Sequence, residues 1–354
     1  MSAMHTGPSI LITGGAGFIG RRLTHYLVNR GARVIVADLQ LDQRKAELAP
    51  FADVVEYVEG DVKDEKCLFS LVKDRSCVVH LAAGASFLMY EERPVYETVN
   101  VMHGFLNVLE AVRFYKVSKL VYASTSAVYE GNTTPYHEGM DLRPADHKAL
   151  AKKVCEEFAG LYRARYGVSA IGVRPFSVYG ESEVEKGYLA NVISLFTWAM
   201  VAGNRPLVWG DGNQTRDFVY VDDAAEVFGK CVLEDVTAPV VNAGTGIKTS
   251  FNEVLMTINE YLGTEILPVY EPVPVSVYAR NLQADTARQR EFGLMPRVGV
   301  KEGIGKVIAS AKRREPSVLA QLADAQRGYA SVLSRLRAVN QQQGPCSGAC
   351  VDEY

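Results

Sequence analysis

The residues best suited to chemistry stand near the start of the chain, where Ser9 to Thr13 runs into Gly14-Gly15-Ala16-Gly17-Phe18-Ile19-Gly20. Three of these glycines have separate physical tasks. Gly14 permits a tight turn, Gly17 lets the backbone approach a pyrophosphate, and Gly20 lets a helix pack closely on a strand. A helix opening at Phe18 and Ile19 would present free N–H groups and its positive dipole end to phosphate. Asp38 closes the second apolar segment, 18 residues past Gly20. A carboxylate there accepts hydrogen bonds from both ribose hydroxyls and repels a 2′-phosphate, so NAD is the expected cofactor. Arg21, Arg22 and Arg33 are the cations that could receive a 2′-phosphate instead.

Such a turn needs a strand before it and a helix after it. Ser9 to Thr13 is an apolar run that reads as a buried parallel strand. Phe18 to Arg30 has helical periodicity, with Phe18, Ile19, Leu23, Tyr26 and Leu27 on one face and Gly31 as its stop. Further strands are expected at Arg33 to Ala37, Val54 to Val58, Cys77 to Leu81, Leu120 to Ala123 and Ala170 to Arg174. Amphipathic segments such as Val101 to Tyr115 and Ala149 to Tyr166 lie between them. This alternation predicts an α/β fold, a Rossmann-type doubly wound parallel sheet with helices on both faces. After Arg174 the rhythm breaks. The glycine- and proline-rich stretches Gly203 to Gly212 and Pro268 to Pro274 alternate with short helices and predict a smaller, mixed α/β C-terminal substrate domain. The expected division is residues 1–176 plus about 218–245 for the dinucleotide domain, 177–217 plus about 246–335 for the substrate domain, and a flexible tail at 341–354.

The composition bounds the partners. A chain of 354 residues with 48% hydrophobic and 22% charged residues builds a large core, and its net charge of −3 carries no basic run that would track nucleic acid. The start lacks a signal-peptide pattern, and the apolar runs fall short of the ~20 residues of a membrane span. Cys67, Cys77, Cys155, Cys231, Cys346 and Cys350 show no paired zinc spacing, which suits a reduced cytoplasmic setting and predicts no metal site. Oxidation or metal binding by Cys346 and Cys350 is the alternative for the tail.

Further residues resemble the extended short-chain dehydrogenase/reductase family, nearest the nucleotide-sugar epimerases and dehydratases. They are Gly60-Asp61-Val62, His80-Leu81-Ala82-Ala83, Asn100 with Gly104, Ser124-Thr125-Ser126-Ala127-Val128-Tyr129 and Arg174-Pro175-Phe176-Ser177-Val178-Tyr179-Gly180. Gly210-Asp211-Gly212, Arg216-Asp217-Phe218 and Asp222-Asp223-Ala224 complete a series that covers roughly residues 9 to 305 in the family's order. The resemblance implies that Asp61 and Val62 hold the adenine, and that Leu81, Ala82, Ala83 and Pro175 line the cofactor. Thr125 would hydrogen-bond the sugar hydroxyl being oxidised. Ser177 and Arg216 would meet the substrate, Arg216 as a charge-assisted contact to its diphosphate or, alternatively, as a surface salt bridge. It also implies a homodimer through Val101 to Tyr115 and Lys148 to Tyr166, helices whose apolar faces could form a four-helix seam or only cover the sheet.

The family normally carries Tyr-x-x-x-Lys after the Ser/Thr motif: the tyrosine moves the substrate proton, and the lysine lowers its pKa and holds the nicotinamide ribose. Aligned without a gap on Pro144, Lys152 and Glu156, this chain reads Lys148-x-x-x-Lys152. Tyr115 to Lys119 matches the motif by coincidence, on the wrong side of Thr125. Three readings follow. Lys148 is itself the base, its pKa lowered by burial and by Lys152; or His147, His137 or Tyr136 serves; or redox chemistry is lost and the chain is a non-redox NAD-binding protein or one repurposed for a non-sugar substrate. Ser126-Ala127 after Thr125 lacks the acid that dehydratases and decarboxylases place there, so an epimerase or oxidoreductase acting on a nucleotide-linked sugar is favoured. Ser177 replaces a customary asparagine, and Pro272 to Val277 replaces an Arg-x-Gly-Asp segment.

Overall fold

The computed structural model describes residues 7–41, 54–273 and 278–325, together with 328 and 331. Strands apolar at successive positions must be covered from both sides, because neighbouring side chains point to opposite faces. In β1 (Ser9–Thr13), Ile10 and Ile12 enter one core and Leu11 the other. In β2 (Arg33–Asp38), Val34 and Val36 join the first core, and Ile35 and Ala37 the second.

In chain order, α1 (Phe18–Val28) lies between these strands, and β3 (Val55–Glu59), α2 (Glu65–Val72), β4 (Cys77–His80), α3 (Phe87–Glu92) and α4 (Pro94–Tyr115) follow. Then come β5 (Lys119–Ala123), α5 (His147–Tyr166), β6 (Ala170–Pro175), β7 (Ser177–Tyr179), α6 (Val192–Val201), β8 (Leu207–Trp209), β9 (Thr215–Arg216) and β10 (Phe218–Tyr220). The remainder is α7 (Val221–Leu233), β11 (Val240–Ala243), β12 (Thr249–Ser250), α8 (Phe251–Leu262), β13 (Val269–Glu271), α9 (Ala287–Glu291), α10 (Val300–Lys312) and α11 (Pro316–Ala323).

Seven strands form one parallel sheet in the order β11-β6-β5-β4-β1-β2-β3. Leu23 and Leu27 of α1 and Phe228 and Cys231 of α7 cover one face; Leu68 of α2, Phe105 and Leu109 of α4 and Cys155 of α5 cover the other. The expected doubly wound α/β sheet is thus present, with its six anticipated strands within one residue of their expected ends. The seventh strand, Val240–Ala243, was not anticipated, because four residues between Pro239 and Gly244 give too short a pattern to read. Strand order reverses between β1 and β4, which opens a crevice at their carboxyl ends.

Helix starts differ from expectation for local reasons. α4 begins at Pro94 rather than Val101, since proline is preorganised for the first helical position. α5 begins at His147 because Asp146 accepts a hydrogen bond from the Ala149 N–H at 2.7 Å. Lys148 therefore sits in the first turn of α5, one turn before Lys152.

A further core gathers Ile193 and Phe196 of α6, Phe251 and Ile258 of α8, Ile304 of α10 and Tyr179. The glycine- and proline-rich stretches contain short strands: β8 pairs in parallel with β13, Leu207 opposite Val269. No described helix is long and apolar enough to cross a membrane. Residues 341–354, with Cys346 and Cys350, lie outside the described residues, as does the Pro272–Val277 segment beyond Val273.

Candidate active site

Gly14 takes a φ of +72°, and its N–H donates to the Ala37 carbonyl at 2.8 Å. A Cβ at Gly14 would lie 2.6 Å from the Ala82 nitrogen, and one at Gly20 would lie 2.6 Å from the Gly14 carbonyl oxygen. Only glycine fits either position, and the turn after β1 is thereby pressed against Leu81, Ala82 and Ala83 after β4. α1 is entered from Gly17 without a side-chain cap, which leaves its first N–H groups to an anion. Phe18 is buried under the Lys186 Nζ, 3.8 Å from the ring centroid, and Ile19 packs into the core. Their backbone amides, not their side chains, are therefore what could reach a phosphate.

Asp38 is held at the rim of the same turn by the Ala16 N–H, 3.1 Å from Oδ2, and the Gln40 N–H, 3.2 Å from Oδ1. Arg21 donates to the Ala16 carbonyl at 2.9 Å and to Glu185 at 2.8 Å, while Arg22 meets Glu181 at 3.2 Å and Asp222 at 3.4 Å. Arg33 points to Glu56 at 4.0 Å. Cations that could have taken a 2′-phosphate are thus matched to carboxylates, and the cradle fits a dinucleotide without one.

Asp61 and Val62 occupy the loop after β3. Gly104 of α4 makes room for Val62, since a Cβ there would lie 2.6 Å from Val62 Cγ2. Asn107 Nδ2 donates to the Val62 and Lys63 carbonyls at 3.1 and 3.3 Å, and the Lys63 N–H donates to Asp61 Oδ1 at 2.9 Å. Pro175 ends β6, opposite Ala243 of β11.

β5 delivers Ser124 and Thr125, both buried, to the crevice. The Thr125 hydroxyl oxygen accepts from the Ala127 N–H at 3.2 Å, capping the 3₁₀ turn Ser126–Tyr129 and leaving its own proton to donate. Beside it, Ser124 Oγ donates to Glu156 Oε1 at 2.5 Å. Arg174 grips the same carboxylate and also donates to the Tyr129 hydroxyl at 2.6 Å, which in turn donates to Asn242 Oδ1 at 2.7 Å. This network ties the ends of β5, β6 and β11 to α5. The sequence reading assigned no role to Glu156 or Arg174. The usable signal was their spacing: Glu156 follows Lys152 by one helical turn, on the same face.

Lys152 is buried and its Nζ donates to the Ala123 carbonyl at 2.8 Å. Lys148 is half-buried and makes no hydrogen bond or ion pair among the described residues. Burial pulls its ammonium down to about 8; Asp146 opposes this, and Lys152 and Lys186 add to it. Burial and Lys152 also lower His80 to about 3, so its ring, which shares a 2.8 Å hydrogen bond with Thr13, stays neutral.

Three further residues were expected as alternative bases. Tyr136 stacks on Tyr129 with ring centroids 5.1 Å apart, its hydroxyl donates to the Asn281 carbonyl, and burial raises its pKa. His137 lines a separate depression with Glu138 and Arg288, and His147 is exposed. Tyr115 and Lys119 stand apart from Thr125: the Lys119 Nζ donates to the Val232 and Glu234 carbonyls at the end of α7.

Ser177 and Arg216, expected on the substrate side, line one cavity of about 250 Å³ with Asn191, Trp209, Phe251 and Tyr278. The Arg216 guanidinium lies between the Phe251 and Tyr278 rings, 5.4 and 5.3 Å from their centroids, and forms no salt bridge among the described residues. Its strand is fixed by buried Asp217, which accepts from the Thr245, Gly246 and Ala284 N–H groups. A half-buried cation flanked by aromatic rings suits a phosphate and a planar base. Asn191, Trp209, Phe251 and Tyr278 were missed, because their convergence comes from elements far apart in the sequence.

Comparison with known proteins gives this arrangement a lineage. Residues 10–244 match the NAD dependent epimerase/dehydratase family. The UDP-glucose 4-epimerase of Mycolicibacterium smegmatis is 32% identical over 305 residues, which span 84% of this chain and 96% of that protein. The UDP-glucose 4-epimerase of Thermotoga maritima, solved with UDP-glucose, superposes with a TM-score of 0.80 at 29% identity, over 86% of this chain and 99% of the other. The Thermus thermophilus UDP-glucose 4-epimerase, solved with NAD, gives a TM-score of 0.76 at 28% identity, over 87% of this chain and all of the other. With a glycine cradle that fits a dinucleotide and relatives along nearly its whole described length, this chain is an enzyme that belongs to the NAD-dependent epimerase/dehydratase family, with NAD as its cofactor.

Proposed function

We propose that the enzyme epimerises a nucleotide-linked sugar, with Lys148 moving the proton that the family's tyrosine normally moves. One observation carries this reading: Lys148 is half-buried and unpaired among the described residues, one helical turn from Lys152, with an ammonium brought down to about 8. An amine titrating there is largely deprotonated just above neutrality and can accept a proton from a sugar hydroxyl. Thr125, with its oxygen occupied by the Ala127 N–H, would donate to the same hydroxyl and orient it. Lys152, anchored on the Ala123 carbonyl, would hold the nicotinamide ribose. The cofactor, held by the Gly14–Gly20 turn, Asp38, Asp61, Val62, Leu81–Ala83 and Pro175, supplies reversible hydride chemistry when bound. Lys148 would hold the proton while the sugar carbon is a ketone, and return it when the opposite face is reduced.

Arg216 and Ser177 would bind the diphosphate side, with the aromatic cavity taking the base; residues 177–217 and 246–335 would form the substrate domain. The exposed apolar side chains of α4 and α5 favour a homodimer, and the unpaired Cys67, Cys77, Cys155 and Cys231 suit a reducing, cytoplasmic setting. The test is incubation of the NAD-loaded protein with a panel of nucleotide sugars, followed by proton NMR. A new anomeric signal is expected from the wild type and none from Lys148→Ala that still binds NAD. A fully active Lys148→Ala enzyme would sink the role of Lys148, and silence of the wild type across the panel would sink the reaction.

A further inference from the structure

We propose that Gln214 is a positioning residue for the substrate: its carboxamide, behind the wall of the Arg216 cavity, holds Trp209 and Tyr278 in place before a nucleotide enters. This rests on the proposed reading of that cavity as the nucleotide side of the substrate site. Trp209, Arg216, Phe251 and Tyr278 line the cavity, and Gln214 stands behind them. Local structure brings it there. β8 ends at Trp209, and the turn from Gly210 to Gln214 returns the chain to β9, which carries Arg216. The start of α8 docks on this turn: the Phe251 N–H donates to the Gln214 carbonyl at 3.3 Å, and the Asn252 N–H to the Gly212 carbonyl at 3.0 Å. β12 runs antiparallel to β9, with Thr249 opposite Arg216. Gln214 is left only 3% exposed.

A buried carboxamide must spend its N–H groups on partners. The Gln214 Nε2 donates to the Trp209 carbonyl at 2.6 Å and to the Tyr278 hydroxyl at 3.2 Å. The first bond fixes the end of β8. The second reaches a residue from a distant part of the chain, whose ring lies 5.3 Å from the Arg216 guanidinium, with the Phe251 ring at 5.4 Å. One residue thus ties three aromatic walls together: Trp209 through its carbonyl, Tyr278 through its hydroxyl and Phe251 through its backbone N–H.

The consequence for binding is preorganisation. Rings already set around a cation need not be ordered when a nucleotide enters, so more of the contact energy is expressed as affinity. Without the carboxamide donor, the Trp209 carbonyl and the Tyr278 hydroxyl each lose a hydrogen bond, and Tyr278 is no longer held beside Arg216. The loss falls on the substrate cavity. The glycine turn that holds the cofactor draws on β1, β4 and α1, and Gln214 makes no hydrogen bond to any of them among the described residues.

Gln214→Met keeps the length of the side chain and removes both donated hydrogen bonds. Calorimetry on the NAD-loaded protein with UDP, dTDP, GDP and ADP, then kinetics with the glucose conjugate of the tightest binder, reads the effect. Gln214→Met is expected to weaken that nucleotide and raise KM by about 10-fold, with a smaller change in kcat and with NAD affinity retained. Tyr278→Phe should weaken binding in the same direction, and the double variant by less than the product of the two, because both remove one shared hydrogen bond. Nucleotide affinity in Gln214→Met equal to that of the wild type, even with a lowered thermal melt, overturns the inference and leaves Gln214 a purely structural residue. Full additivity of the two substitutions overturns it as well. A wild type that binds none of the four nucleotides overturns the reading of the cavity and the inference with it. Nucleotide binding without turnover counts against the epimerase reading alone, and the affinities still decide the role of Gln214.

Discussion

Arg174 and Glu156 meet through two parallel hydrogen bonds, Nε to Oε1 at 2.9 Å and Nη2 to Oε2 at 2.5 Å, with side chains only 4% and 8% exposed. The pair joins the end of β6 to the helix that carries Lys148 and Lys152. Arg174→Met strands a buried carboxylate, and loss of one partner from such a pair costs about 3–5 kcal/mol. A urea titration of the NAD-free protein should show that loss. A change below about 1 kcal/mol would mean that the carboxylate finds water or another donor, and that the clamp is dispensable.

Asp38 makes a prediction about cofactor choice. Its carboxylate stands on the rim of the glycine turn while Arg21 and Arg22 are matched to Glu185, Glu181 and Asp222. NAD should bind more tightly than NADP, and Asp38→Asn should narrow the difference by about 10-fold, or about 1.4 kcal/mol, by removing a like-charge repulsion. Titration calorimetry with both cofactors reads this directly. An unchanged ratio would move the discrimination to another residue.

The proposed role of Lys148 as base makes a prediction about the pH profile. Its base form is the neutral amine, so raising the pH through about 8 increases the competent fraction. Wild-type kcat/KM should climb about 10-fold per unit on the acid side and level off above that value. Lys148→Arg should remain inactive at every pH, because a guanidinium does not deprotonate. A wild-type profile flat from pH 6 to 9 (roughly the range over which such an amine titrates) would remove Lys148 from the proton path.

What was legible in the sequence was what repeats or lies close along the chain. The alternation of Ile10, Leu11 and Ile12 between two cores, the glycine turn and the placement of Asp38 all follow from neighbours in sequence. β11 was too short to announce itself. The aromatic lining of the Arg216 cavity comes from Trp209 at the end of β8, Phe251 at the start of α8 and Tyr278 after β13, residues far apart in the sequence.

The outer surfaces of α4 and α5 carry the last prediction. Val95, Tyr96, Val99 and Phe114 on α4 and Leu150, Leu161 and Tyr166 on α5 are exposed, between 45% and 75% of their surface. The buried faces of the same helices already cover the sheet through Phe105, Leu109, Cys155 and Ala159. Covering the sheet therefore does not account for the outward residues, and exposed apolar side chains on two neighbouring helices suit a contact surface. Two antiparallel helix pairs from two copies would bury it in a four-helix seam. Light scattering on a sizing column should give the mass of a dimer, and Tyr96→Glu with Leu161→Glu should give the 38.8 kDa monomer. A wild type already monomeric at micromolar concentration would leave the patch to a different partner.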